Sequence, residues 1–212
     1  MKRGLVWLRR DLRIHDHAAL SAALQSCEQV FLAFIFDQKI LDPLKDDQRT
    51  HPQDSEQSSS TSKMITDRRV DFIWLALQEI NHVLKELSQK SGLIALHGIS
   101  TELIPNLAVD LQIQSVFVNQ DYEPLAIARD AQVKEALLRK GIEFLSYKDQ
   151  VIFEKKEVLT GQSGIFSVFT PYKNAWLKKL SPEDLAPRVC FQKPNQVEKL
   201  APIPAIFQKK HP

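Results

Sequence analysis

The sequence predicts an α/β fold, a doubly wound five-stranded parallel sheet in the order 3-2-1-4-5 with helices on both faces. Three observations lead there. Five apolar runs of strand length lack polar alternation, as strands do when both faces of their sheet are covered. Four segments between them carry apolar residues at helical spacing. The two kinds alternate as βαβαβαβαβ, which implies parallel strands joined by right-handed crossovers.

The first run, 5–8, is short and wholly apolar. Residues 16–25 follow as a helix opened by Asp16, a capping residue type. The second run, 30–36 (VFLAFIF), is apolar throughout. Residues 67–89 place Val70, Ile73, Trp74, Leu77, Ile80, Leu84 and Leu87 on one helical face. The strand 93–96 and a shorter helix, 102–111, lead to the strand 116–118. A helix over 125–140 opens after Pro124, which suits a first turn, and stops at Gly141, which suits the C′ position. The last run is 142–145. Beyond it, Thr170 and Pro171 read as the N-cap and first residue of a helix over 172–180.

Composition narrows the class. The 212 residues are 43% hydrophobic and 25% charged, enough for one buried core. The net charge of +2 neither demands nor excludes a nucleic-acid partner. Cys27 and Cys190 form no CxxC pair, so a disulfide framework or structural zinc is not expected, and the natural compartment is the cytoplasm. No apolar stretch reaches the length of a membrane span or a signal core. Residues 42–62 are polar and end in a Ser/Thr run, which predicts a mobile surface insertion. Residues 181–212 hold six of the eleven prolines and predict an extended segment.

In such Rossmann-like sheets a ligand binds at the carboxyl ends of the strands where the strand order reverses, here between the first and fourth strands. Those ends read RRDLRIHD (9–16) and NQDYEP (119–124), and the second strand ends beside them at Asp37. The six glycines form neither GxGxxG nor a Walker loop, so the fingerprint for a pyrophosphate is absent. Arg10, Asp11, Arg13, Asp37, Asp121 and Glu123 instead suit a polar aromatic heterocycle with several amide and hydroxyl groups. The same charges could equally tie loops together as salt bridges, and spacing alone leaves both readings open.

Four motifs then carry a family resemblance. LVWLRRDLRIHDHAAL (5–20), DRRVDFI (67–73), NQDYEPLAIARD (119–130) and LTGQSGIFSVFTPYKNAWLKKL (159–180) resemble, in order, the N-terminal region of the DNA photolyase/cryptochrome family. The resemblance implies an antenna-binding α/β domain over 1–180 and an interdomain linker over 181–212. The family's helical FAD domain has no counterpart in these residues. It implies a deoxyribodipyrimidine photolyase, a carbon–carbon lyase that splits pyrimidine dimers with blue light, or else a cryptochrome-type light sensor. The 212-residue chain alone is expected to be inactive. Damaged DNA would be met through a full-length protein, the FAD domain would be the intramolecular partner, and the chain is expected to be monomeric.

By position, Asp121, Glu123 and Arg69 match residues lining the family's antenna pocket, while Arg10, Asp11, Phe36 and Asp37 match its rim. Folate-binding members carry an Asn-Glu pair where this chain has Leu125 and Ala126, which cannot hydrogen-bond a pterin. The implied antenna is therefore 8-hydroxy-5-deazaflavin or FMN rather than folate. Trp7 is expected in the core, and His15 and His17 in loop or cap contacts rather than on a metal. Lys173, Lys178 and Lys179 are expected on a solvated helix face. A reading from another class is a stand-alone flavin- or nucleotide-binding module, which would not explain RRDLR and FTPYKNAW together.

Overall fold

The computed structural model describes residues 1–41 and 68–208. The expected insertion over 42–62 lies outside them, as do residues 209–212. Five strands form one parallel sheet: β1 (Arg3–Leu8), β2 (Gln29–Asp37), β3 (Leu93–Gly98), β4 (Ser115–Asn119) and β5 (Glu143–Tyr147). Their order is β3-β2-β1-β4-β5, as the sequence predicts. Ile142 falls just outside β5, which runs on to Tyr147 instead.

Successive strand residues face opposite sides, and each side meets its own pair of helices. Val6, Leu8, Leu32, Phe34, Phe36 and Phe117 pack against α1 (Ala18–Ser26) and α2 (Arg68–Leu87). Leu5, Trp7, Ala33, Ile35, Val116 and Val118 pack against α3 (Ser100–Asp110) and α4 (Pro124–Leu138). Two buried faces explain why no strand of the sheet's centre alternates with polar residues.

Two helix starts differ from the sequence reading. Asp16 does not cap α1. It has φ +43°, and its carboxylate accepts the Arg188 N–H at 2.7 Å. His17 is the cap, its Nδ1 accepting the Leu20 N–H at 3.1 Å. Likewise α5 (Phe169–Lys179) begins before Thr170, with Val168 as its cap. Pro171 sits in the first turn, where a missing N–H breaks no intrahelical bond. The end of α4 follows its sequence signal. Gly141 takes φ +71°, Ile142 N–H reaches the Leu137 carbonyl at 3.0 Å, and Gly141 N–H reaches that of Leu138 at 3.0 Å, closing a Schellman motif. The end of α3 uses the same closure with Gln112 in the left-handed position, φ +55°.

The proline-rich tail is not extended throughout. Pro182 and Pro194 open the short helices α6 (Pro182–Leu185) and α7 (Pro194–Val197), where a fixed φ favours the first turn. A last short helix, α8, spans Ala205–Gln208. Between α7 and α8 the chain crosses the amino edge of the sheet. Val30 N–H donates to the Lys199 carbonyl at 2.8 Å and Ala201 N–H to the Val30 carbonyl at 2.9 Å. β3 joins β2 only from Leu32 onward, so this strap supplies the neighbour that Val30 would lack. Within the strap, Leu200 and Ala201 are buried.

Candidate functional site

The carboxyl ends of β1, β4 and β5 converge on the start of α1. A helix leaves its first N–H groups without intrahelical partners, and here three side chains take them. Asp149 accepts the Ala18 N–H at 3.0 Å, Asn119 Oδ1 the Ala19 N–H at 2.9 Å, and His17 Nδ1 the Leu20 N–H. In dinucleotide-binding sheets this helix end holds a phosphate. Protein groups fill that role here, which accounts for the missing glycine fingerprint.

Asn119 is the hub. Its Nδ2 donates to Asp11 Oδ2 at 2.7 Å. His17 Nε2 meets the same oxygen at 2.9 Å, and Arg9 N–H donates to Asp11 Oδ1 at 2.7 Å. Burial alone would raise the Asp11 carboxyl; the hydrogen bonds from His17 and from the Arg9 N–H outweigh it and hold it at about 2. Asp11 is therefore a buried, ionised latch. Arg13 extends the network, pairing with Asp149 at 2.6 Å.

On the opposite side of β1, Trp7 is buried as predicted, and two guanidinium groups stand over its ring. Arg9 lies 5.2 Å and Arg129 5.0 Å from the ring centroid. Asp130 pairs with both, and Arg9 also donates to the Asn119 carbonyl. The arrangement fixes the first turn after β1 to α4.

The predicted site residues divide into three groups. Arg10, Asp121 and Glu123 come together on an open rim. Arg10 bonds Glu123 at 2.7 Å and lies 3.6 Å from Asp121. The Arg10 and Glu123 side chains are 57% and 58% exposed, whereas Asp121 is buried and accepts the Glu123 N–H at 3.1 Å. The Glu123 hydrogen bond raises the Arg10 pKa and keeps the guanidinium charged. Asp11 sits below this rim in the latch. The third group belongs to the neighbouring edge. Asp37 accepts the Ser100 hydroxyl and the Lys39 N–H, tying β2 to α3. Phe36 is buried against Phe34 and Trp74 on the opposite face of the sheet. Arg69 is exposed in the first turn of α2.

Leu125 is 86% exposed and Ala126 is buried, so neither offers a polar side chain beside Glu123. His15 and His17 join no metal cluster; no group of three candidate ligands occurs among the described residues. A separate groove of about 230 Å³ runs between α2 and β3, lined by Trp74, Gln78, Asn81, His82, Lys85 and Leu93. None of the predicted site residues lines it.

Sequence reasoning passed over Asn119, Asp130 and Asp149 as site residues. Asn119 and Asp149 did carry a signal, since each is a polar residue closing or just following a strand run at the carboxyl edge of the sheet. Their hydrogen-bond partners lie more than 90 residues away, which no local pattern reveals.

The DNA photolyase family model matches residues 4–192. The chain belongs to the DNA photolyase family. It is 30% identical over 201 residues to the deoxyribodipyrimidine photo-lyase of Synechococcus sp., covering 94% of this chain and 37% of the relative. It is also 30% identical over 206 residues to the Escherichia coli deoxyribodipyrimidine photo-lyase, covering 97% and 40%. The chain thus spans about two fifths of the length of each of these two relatives. Its fold is shared with the archaeal photolyase of Sulfolobus tokodaii, solved with two FAD molecules and described as implying a novel light-harvesting cofactor. That match has a TM-score of 0.58 at 23% identity and covers 81% of this chain and 34% of the other. No helix among the described residues is long and apolar enough to cross a membrane.

Proposed function

We propose that this region is the antenna-chromophore domain of a deoxyribodipyrimidine photo-lyase, with the chromophore at the Arg10–Asp121–Glu123 rim. One observation carries the reading. In a photolyase-family chain, the strand order reverses between β1 and β4, and an open guanidinium–carboxylate cluster stands at that point. The deeper groups, Asp11 and Asn119, hold that edge rigid.

The residues fit a flavin-like ring. Glu123 and Asp121 carboxylates can accept hydrogen bonds from ring N–H and hydroxyl groups, and Arg10 can stack on the ring or pair with an anionic tail. Leu125 and Ala126 offer a pterin nothing, which favours 8-hydroxy-5-deazaflavin or FMN over folate. When bound, the group absorbs blue light and passes the excitation to FAD. Lesion binding and dimer splitting belong to the FAD-bearing part of a full-length protein, in a cytoplasmic monomer whose two cysteines, Cys27 and Cys190, are free thiols.

Titration of the chain with FMN, 8-hydroxy-5-deazaflavin and a reduced folate tests the reading. Saturable binding of one of the first two, weakened about tenfold or more by Arg10→Ala or Glu123→Ala, is the expected result. Equal affinity in wild type and both variants removes the rim from the site. The 212-residue chain supplied with reduced FAD and blue light should leave cyclobutane dimers intact, and measurable repair by it overturns the division of labour.

A further inference from the structure

Each helix wound against the sheet buries at least three residues, but α5 buries none. It is held along a narrow stripe. Trp176 meets Phe153 edge to face, with ring centroids 5.4 Å apart. Lys179 donates to the Glu157 carbonyl and stands 5.1 Å over the Phe153 ring. The remaining apolar surface is open: Ile165 is 82% exposed, Val168 60%, Phe169 72% and Leu177 54%. The Phe166–Tyr172 ring contact, 6.0 Å between centroids, holds the 165–168 loop to the start of α5, so Ile165, Val168 and Phe169 lie together, with Leu177 two turns along the same helix. A contiguous apolar patch of this kind marks a contact surface, whereas single exposed apolar residues do not.

The patch sits near the site. The Tyr122 hydroxyl donates to Glu154, in the loop that carries Phe153 and Glu157, so α5 is anchored through that loop to the residue between Asp121 and Glu123. All of α5 lies within the family match, residues 4–192. Two photo-lyase relatives are covered over only 37% and 40% of their length. Those two relatives carry more than half of their length outside the matched region.

The geometry points to α5 and the 165–168 loop as the seat of that remainder: an apolar surface from the part of photo-lyases beyond the matched region. The assignment rests on family membership and not on chromophore binding, so it survives if the rim proves empty. The residues that carry it are Ile165, Val168, Phe169 and Leu177.

The test is the double substitution Phe169→Glu, Leu177→Glu in two settings. In the 212-residue chain the patch faces water. The substitutions should leave the thermal midpoint unchanged and lower the fluorescence of bound anilinonaphthalene sulfonate several-fold. A lowered midpoint, or no dye binding by the unsubstituted chain, would show that the patch is already covered and overturns the assignment. Sedimentation adds a further outcome: a wild-type dimer that the substitutions dissociate would make a second copy the occupant, which also overturns it. The second setting is the Synechococcus photo-lyase with its matched region replaced by this chain. The unsubstituted fusion should resist thermolysin at the junction and retain FAD, and the substituted one should be cleaved about tenfold faster. Equal cleavage of the two, or an unsubstituted fusion whose parts do not protect each other, counts against the assignment.

Discussion

Replacing Asp11 by Asn tests the latch. The new side chain can still accept the Arg9 N–H through its oxygen. Its amide nitrogen, however, then faces Asn119 Nδ2 and His17 Nε2, both donors to the native carboxylate at 2.7 and 2.9 Å. Two buried donors lose their acceptor, a change that costs about 1–3 kcal/mol for each. Urea unfolding should report this as a lower midpoint with an unchanged slope. The pH dependence supplies a second reading of the same group. The folded carboxyl lies at about 2 against an ordinary 3.8, so its contribution is present above pH ~4 and is lost as the pH falls from there through 2. The displacement is worth about 2 kcal/mol. Wild type should lose that increment across the window, and Asp11→Asn should not. A stability loss below about 1 kcal/mol, or parallel acid profiles for the two proteins, would refute the latch.

Three further outcomes follow from the fold. Gln112→Gly should relieve the left-handed strain at the end of α3 and stabilise by up to about 1 kcal/mol, a rise of roughly 2–4 °C in Tm by calorimetry, less whatever is lost from the exposed Arg3–Gln112 bond. Trp7→Ala should cost about 3–5 kcal/mol in urea unfolding, since it empties a fully buried site and strips the stacking surface from Arg9 and Arg129. Leu200→Asp should cost about 3 kcal/mol or more by the same assay, because the strap then carries an unpaired charge into the core; a neutral result would mean that the strap contributes nothing to the domain.

The sheet was legible because its signal is local. Runs such as VFLAFIF are apolar throughout only when both faces are covered, and the order of runs and amphipathic segments leaves few topologies. The strand order then pointed to the carboxyl ends of β1 and β4, where Arg10, Asp121 and Glu123 come together. What stayed hidden depends on distant partners. Asp16 has the chemistry of a cap, but Asn119 and Asp149 bind the first N–H groups of α1 and move its start to Ala18. Asp11 and Asp37 look like ligand-binding carboxylates by residue type, yet each is engaged by neighbours from other elements. The tail reads as extended from its prolines alone, while its burial depends on the gap beside Val30.

That gap has a kinetic side. Val30 and Leu200 pair across almost the whole length of the chain. Closing so long a loop costs little more in free energy than closing one of half the length, because the entropy grows only logarithmically. It does delay the event, since distant contacts form late and slow the search. During synthesis the sheet can assemble before residues 199–203 exist, leaving the start of β2 without its outer neighbour. Until the strap arrives, the sheet would stand open at that one edge.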